Sequence, residues 1–380
     1  MSVSSKNWTN LDTIKACRFC WMCRHVCTVG NVTANESDTP RGKTLLLYSM
    51  LMETMSPSTE MANVLYNCAL CYRCKEECVG GFDVPQVMLS TRAEVADDGL
   101  CSDSVMRRVE FLREKKKDGG KAQGEARREM ESNVGCLPQK APVVLFGGHS
   151  TSNHTPAALL GAAKLLRKAG VDFTLPKGDS HSGFEFYEMG FLADAKKEAL
   201  CTVDAINEVL DGCKGDLTVI VLDPSDGWAL EDLYGKWGME TSFEVVDFSS
   251  FVYGLAKEGR IKFRQRDLEL TYHDPCHLGR LRRVFVQPRE LLTMIPGVVL
   301  REMHWNKSQA HCCGGHLRFT NPETADKVGA QRIEQVEETG VHVVVTGCPT
   351  CCDSLDRAKD GVIGDLEVHH IAEFLADSIE

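Results

Sequence analysis

The sequence predicts two unlike halves: a helical, cysteine-rich N-terminal domain, then an α/β domain built from two related lobes. Three observations predict this. Between two tight cysteine runs, RGKTLLLYSMLMETM and TEMANVLYN place apolar residues at helical intervals without β-alternation. From Pro142 onward, short apolar runs alternate with helical stretches, the pattern of parallel sheets covered by helices. The strand–turn–helix rhythm of residues 143–230 then recurs over residues 270–355.

A length of 380 residues suits two or three domains, and 43% hydrophobic with 26% charged residues is globular composition. With 43 Lys+Arg against 54 Asp+Glu, the net charge of −11 excludes a nucleic-acid binder held by phosphate contacts. No apolar run approaches the roughly 20 residues of a bilayer span. MSVSSKNWTNLDTIK has neither a signal-peptide core nor an Arg-rich transit character. A cytoplasmic location is expected, peripheral at a membrane only through a complex. The 18 cysteines are therefore expected to be metal ligands or redox groups, not disulfides.

Cys17, Cys20, Cys23 and Cys27 read C-x2-C-x2-C-x3-C, and Cys68, Cys71, Cys74 and Cys78 repeat that spacing. A four-iron cubane takes three thiolates from one tight loop and the fourth from elsewhere; in two-cluster ferredoxins each motif's last Cys serves the other cluster. The spacing thus assigns one 4Fe-4S cluster to Cys17, Cys20, Cys23 and Cys78, and its twin to Cys68, Cys71, Cys74 and Cys27. Zinc prefers C-x2-4-C pairs separated by a longer loop, which a duplicated four-Cys run fits poorly. Thr28 and Val79 stand where a proline usually follows the fourth Cys. That affects the exit path of the chain, not ligation.

Residues 105–138 are highly charged and interrupted by Gly119-Gly120, and read as a solvated helical linker. PVVLFGG is then a short buried strand, and TPAALLGAAKLLRKAG a helix with a Thr-Pro start and a Gly stop. VDFTL, LTVIVLD, FEVVDF, LELTYHD and VHVVVTG are further strands; ADAKKEALCTVDAINEVL and PETADKVGAQRIEQVEETG are helices. Cys101, Cys136, Cys201 and Cys213 stand alone and are expected to be inert buried thiols.

Cys276, Cys312, Cys313, Cys348 and Cys351 form C-x35-CC-x34-C-x2-C, each at a strand end or turn. Ligands of α/β sheets gather beyond the carboxyl ends of strands, so three distant segments can bring these thiols together. Gly314 and Gly315 permit close backbone approach. His273, His277, His311 and His316 crowd the set, and could hydrogen-bond to cluster sulfurs. Cys352 is read as a neighbour. In the first half of the repeat Gly148, His181-Ser182 and Asp223 to Asp226 fall where the cysteines would be. A zinc site, serving an assembly scaffold, is the alternative for the C-terminal half.

The N-terminal motifs, with TPRGK between them, resemble the helical two-cluster ferredoxin module that wires respiratory complexes. The C-terminal set resembles the CCG domain of the heterodisulfide reductase D-subunit, the glycolate oxidase iron–sulfur subunit and the anaerobic glycerol-3-phosphate dehydrogenase C-subunit. The resemblance covers nearly the whole chain. It implies a helical ferredoxin domain over 1–104, a charged linker over 105–138, a first CCG-like lobe without its cysteines over 139–258, and a second CCG lobe over 259–380. It makes the five C-terminal cysteines ligands of a third iron–sulfur centre, cubane or non-cubane. No G-x-G-x-x-G follows a strand, so nothing marks a flavin or nicotinamide site. The expected function is the electron-transfer subunit of an oxidoreductase complex, working between a flavoprotein dehydrogenase or electron-transfer flavoprotein and a quinone, ferredoxin, membrane subunit or other acceptor. The alternative is a disulfide or heterodisulfide reductase whose CCG site is itself catalytic.

Overall fold

The structure, a computed structural model, describes residues 11–177, 181–359 and 365–380. Short helices wrap the N-terminal cysteines: Leu11–Ala16, Thr28–Thr33, Pro40–Leu51, Thr59–Tyr66, Arg73–Glu76 and Val84–Asp97. The TPRGK stretch starts the third of these. Thr39 caps it by accepting from the Gly42 N–H, and Pro40 occupies its first turn. A Cβ on Gly42 would stand 1.9 Å from the Glu36 carbonyl, so only glycine fits there. Pro85, the late proline, lies in the first turn of the Val84–Asp97 helix, with Asp83 as its cap.

The segment expected as a broken linker is instead one helix, Asp103–Val134, and Gly119-Gly120 do not interrupt it. Its ends explain this. Val105, Val109 and Leu112 pack into one core and Met130 into another, and such anchoring offsets the roughly 1 kcal/mol that each glycine costs a helix.

Two four-stranded parallel sheets follow. β1 (Val143–Phe146), β2 (Phe173–Thr174), β3 (Thr218–Val221) and β4 (Glu244–Asp247) run in the order β2-β1-β3-β4. β5 (Leu268–His273), β6 (Val298–Leu300), β7 (Val343–Thr346) and β8 (Glu367–His370) run β6-β5-β7-β8. The sequence marked six of these strands and missed the edge strands β6 and β8. The central strands β1, β3 and β7 are buried almost throughout, as parallel strands covered on both faces must be. In both sheets the strand order reverses between the two central strands, so a crevice opens past their carboxyl ends. Cys276 follows β5, Cys312 and Cys313 lie on the segment after β6, and Cys348 and Cys351 follow β7.

The cores cross the expected boundaries. Leu65, Val87 and Met88 of the N-terminal helices share one core with Phe184, Tyr187 and Trp228. Leu145 and Ile220 of the first sheet share another with Leu270 and Val345 of the second. Helix Pro156–Lys168 packs on helix Ile371–Ala376, and a Cβ on Gly161 would meet the Ala372 carbonyl and the Glu373 Cα at 2.8 Å. Gly161→Val is therefore expected to destabilise the protein by about 2 kcal/mol through overpacking against backbone, read as a lower midpoint in anaerobic thermal unfolding. No helix among the described residues is long and apolar enough to cross a membrane.

Candidate metal centres

The N-terminal thiols fall into two interleaved groups. Cys17, Cys20, Cys23 and Cys78 line one cavity of about 250 Å³. Cys27, Cys68 and Cys71 line a second, smaller one, and Cys74 borders both. Each motif's last cysteine thus sits with the other motif's first three, the exchange expected from the spacing. The loops carry matching strain: Phe19 (φ 50°) lies between Cys17 and Cys20, and Leu70 (φ 48°) between Cys68 and Cys71. A left-handed non-glycine residue costs about 1–2 kcal/mol and persists where the surroundings impose it. Here it turns the loop so that both thiols face the same cavity.

Backbone amides point at the sulfurs. Phe19 N–H donates to Cys17 Sγ (3.4 Å), Gly30 N–H to Cys27 Sγ (3.3 Å) and Phe82 N–H to Cys78 Sγ (3.3 Å). Burial pushes the Cys23 thiol up to about 11 and Cys27 to about 12. Buried thiolates need a cation, and a donor set of four sulfurs with amide hydrogen bonds suits an iron–sulfur cluster. Cys20 is exposed, so the first group opens to the surface, whereas in the second Cys74 is buried, Cys27, Cys68 and Cys71 are half-buried, and the buried Lys43 and Arg73 line the cavity.

The C-terminal cysteines are all buried and form a continuous chain of contacts. Cys312 lies against Cys276 and Cys313, Cys313 Sγ donates to Cys351 Sγ at 3.3 Å, and Cys351 lies against Cys348. Gly314 (φ 85°) lets its N–H reach Cys312 Sγ at 3.3 Å. The chain extends into the N-terminal domain, for Cys312 also lies against Cys71 and pulls that thiol down to about 6. Three of the four histidines meet the thiols within ligand reach: His273 beside Cys313 and Cys351, His277 and His316 beside Cys276. His311 turns away, stacking on Trp305 and bonding to Gln335 at 2.9 Å. Cys352 is buried, and among the described residues its thiol hydrogen-bonds to none of the five. The isolated cysteines depart from expectation: Cys136 and Cys201 are exposed, Cys101 and Cys213 half-buried. They lie on loops and outer helix faces, where a thiol is tolerated as a small polar surface group.

The first sheet repeats this loop geometry with other donors. Gly183 (φ 80°) donates its N–H to His181 Nδ1 at 3.0 Å, and Ser182 Oγ donates to Asp226 Oδ1. Burial pushes the Asp226 carboxyl well above the usual range. Two side chains from this half brace the histidines: Glu188 Oε2 lies 2.8 Å from His316 Nδ1, and Ser225 Oγ 2.9 Å from His277 Nδ1.

Sequence reasoning did not single out Arg92, Arg280, Arg332 or Glu188. Arg280 carried one faint signal, standing four residues after Cys276 on a helical turn; the others carried none.

A 4Fe-4S dicluster domain model matches residues 13–82, and a cysteine-rich domain (CCG) model matches residues 270–356. The chain is 26% identical to the dihydromethanophenazine:CoB–CoM heterodisulfide reductase D-subunit of Methanosarcina barkeri, covering 100% of this chain and 97% of that one. It is 28% identical to the fumarate reductase (CoM/CoB) B-subunit of Methanothermobacter marburgensis over 82% of this chain and 61% of that one. It is 31% identical to the probable iron-sulfur-binding oxidoreductase FadF of Bacillus subtilis over 60% of this chain and 32% of that one. A hypothetical protein from Helicobacter pylori shares the fold, with TM-score 0.54 and 9% identity over 89% of this chain and 68% of that one. With eight cysteines under the dicluster match and six under the cysteine-rich match, this chain carries the two domains of CCG-type iron–sulfur proteins and is similar to the heterodisulfide reductase D-subunit.

Proposed function

We propose that the chain is the electron-relaying subunit of an oxidoreductase complex, working between a flavoprotein partner and a quinone, ferredoxin or other acceptor. The observation that carries this reading is the continuity of its thiols: Cys74 borders both N-terminal groups, and Cys71 touches Cys312. One end of the row is at the surface, at Cys20, and the other is buried between sheets.

Cys17, Cys20, Cys23 and Cys78 would hold one 4Fe-4S cluster, and Cys27, Cys68, Cys71 and Cys74 the second. Cys276, Cys312, Cys313, Cys348 and Cys351 would hold the third centre. Such groups supply one-electron transfer. The protein's own residues do the rest: amides of Phe19, Gly30, Phe82 and Gly314 stabilise thiolate charge, and His277 and Arg280 dock the Cys68–Cys71 loop onto the second sheet. His277 Nε2 lies 3.1 Å from the Leu70 carbonyl, and Arg280 Nε donates to the Cys71 carbonyl. The domain reading accompanies this: a ferredoxin domain over 1–104, the 105–138 connection, and two related CCG-type lobes over 139–258 and 259–380, the first without cysteines. The equal strand orders and the paired left-handed glycines, Gly183 and Gly314, support the kinship of the lobes.

The test is anaerobic purification with metal analysis and pull-down. About eight iron and eight sulfide are expected from the N-terminal groups alone, with further iron from the third. The isolated protein should take electrons from dithionite yet oxidise no hydroxy acid, and should bring down a flavoprotein. Substrate oxidation by the flavin-free chain alone would sink the proposal.

A second reading makes the C-terminal thiols reduce a disulfide directly. A cavity lined by His149, His181, Asp226 and His316 favours it, because His316 lies beside Cys276. Turnover of thiol–disulfide substrates by the isolated protein would separate the two.

A further inference from the structure

A buried guanidinium normally sits on a carboxylate, because an unpaired charge out of water is costly. Three arginines around the inner thiols do not. Arg92, Arg280 and Arg332 are 2%, 3% and 0% exposed, and none makes an ion pair with a carboxylate among the described residues. They bind mainly carbonyls. Arg92 donates to the carbonyls of Leu65, Tyr66, Cys68 and Glu188. Arg280 donates to the carbonyls of Cys71, Ser308 and Ala310, tying the Cys71 loop to the Cys312 loop. Arg332 donates to His273 Nδ1, the Trp305 carbonyl and Gln335. One nitrogen of each (Arg92 Nε, Arg280 Nη2 and Arg332 Nη2) is buried without a hydrogen-bond partner. Asp274, the carboxylate whose charge acts on Arg332, is already held by Arg289 at 2.7 and 2.8 Å. Burial lowers Arg332 only to about 10, so it stays charged at neutral pH.

The exposed Cys17–Cys78 group is different. Its cations are in water or near carboxylates: Arg41 and Arg24 share Glu36 at 2.6 and 2.9 Å, Lys75 pairs with Asp83 at 2.6 Å, and Arg18, which lines the cavity, is exposed.

We propose that Arg92, Arg280 and Arg332 are the counter-charges of the two inner iron–sulfur centres, raising their reduction potentials so that electrons arriving at the exposed group run downhill to the C-terminal cysteines. This rests on the cluster assignment above and adds the direction of flow. Each added electron adds negative charge, and a permanent cation in a low-dielectric interior stabilises it. Water at Cys20 also stabilises added charge, whereas at the inner two the stabilisation comes from three buried guanidiniums without carboxylate partners. Arg280 acts on both inner groups at once, since it bonds to the Cys71 loop and the Cys312 loop together. It is a positioning residue: it touches carbonyls, not the sulfurs' electrons.

The test is potentiometric titration of the full-length, anaerobically purified protein followed by electron paramagnetic resonance, with iron counted first. The exposed group should have the lowest midpoint and the C-terminal group the highest. Arg280→Met should lower the C-terminal group's equilibrium for accepting an electron from the exposed group at least tenfold, which is ~59 mV for a one-electron couple. Arg280→Lys, keeping the charge but losing the fork, should restore most of that shift, while the exposed group's midpoint stays put in both. If Arg280→Met does not load iron, Arg332→Met is read the same way. With all iron in place, a C-terminal midpoint at or below that of the exposed group overturns the inference, as does an unmoved midpoint in the variants. Absence of iron from the wild-type protein would overturn the cluster assignment instead.

Discussion

Cys71→Ser is expected to remove one four-iron cluster and abolish electron delivery to the C-terminal thiols, while leaving the exposed Cys17–Cys78 group reducible. Cys71 lies in the second N-terminal group and is the thiol that meets Cys312 across the domain contact. No other N-terminal cysteine meets a C-terminal one in this way among the described residues. A serine there loses a thiolate ligand and the sulfur–sulfur contact together. Iron should fall by about four per protein, and dithionite-reduced samples should lose one of the two N-terminal magnetic signals. In stopped-flow reduction the C-terminal group should stay oxidised after the exposed group has been reduced. Cys20→Ser is the comparison: Cys20 is exposed and far along the row from Cys312, so its loss should remove the outer signal and leave the inner two reducible by small mediators. Equal behaviour of the two variants would break the serial arrangement.

The paired change Cys312→Ser with Cys313→Ser should empty the C-terminal centre and spare both N-terminal signals. These residues are 3% exposed each and sit in the middle of the thiol chain, between Cys276 on one side and Cys351 on the other. Two hydroxyls there would leave Cys276 cut off from the Cys348–Cys351 pair, too few thiols for a cluster. The measurement belongs on the whole chain, because the core around Leu65, Val87, Phe184 and Trp228 joins the N-terminal helices to the first sheet. Iron above the N-terminal eight in the wild type, absent in the variant, supports a third iron–sulfur centre. Tight stoichiometric zinc in both, with no added iron in either, would give the site to a structural role instead.

The candidate centres were legible to different depths. The two N-terminal thiol groups that line the two cavities could be anticipated from spacing because a two-residue gap leaves a short loop few ways to present its thiols. The five C-terminal cysteines could be grouped because strand ends of a parallel sheet converge, yet their order of contact could not be read. Contact with Cys71 was invisible, since it depends on how the Cys68–Cys71 loop docks on the second sheet. The histidines were marked as a crowd. Only the fold separated His273, His277 and His316, which meet thiols, from His311, which stacks on Trp305.

What the sequence by itself determined is the local chemistry: the duplicated thiol loops, the central strands β1, β3, β5 and β7, and the well-capped helices. These are set by short-range spacing and by apolar runs long enough to need burial on both faces. The edge strands β6 and β8 escaped notice because they are short and half-exposed, so their patterns are weak. Gly119-Gly120 misled in the other direction, since a helix anchored by packing at both ends carries two glycines that an isolated one would not. Only the tertiary structure decided which charges are buried. In sequence Arg92, Arg280 and Arg332 look like any solvated cation among the 43. Their removal from water and from carboxylates is a product of long-range packing, and Coulomb energy depends on dielectric and distance, neither of which a residue's place in the chain specifies.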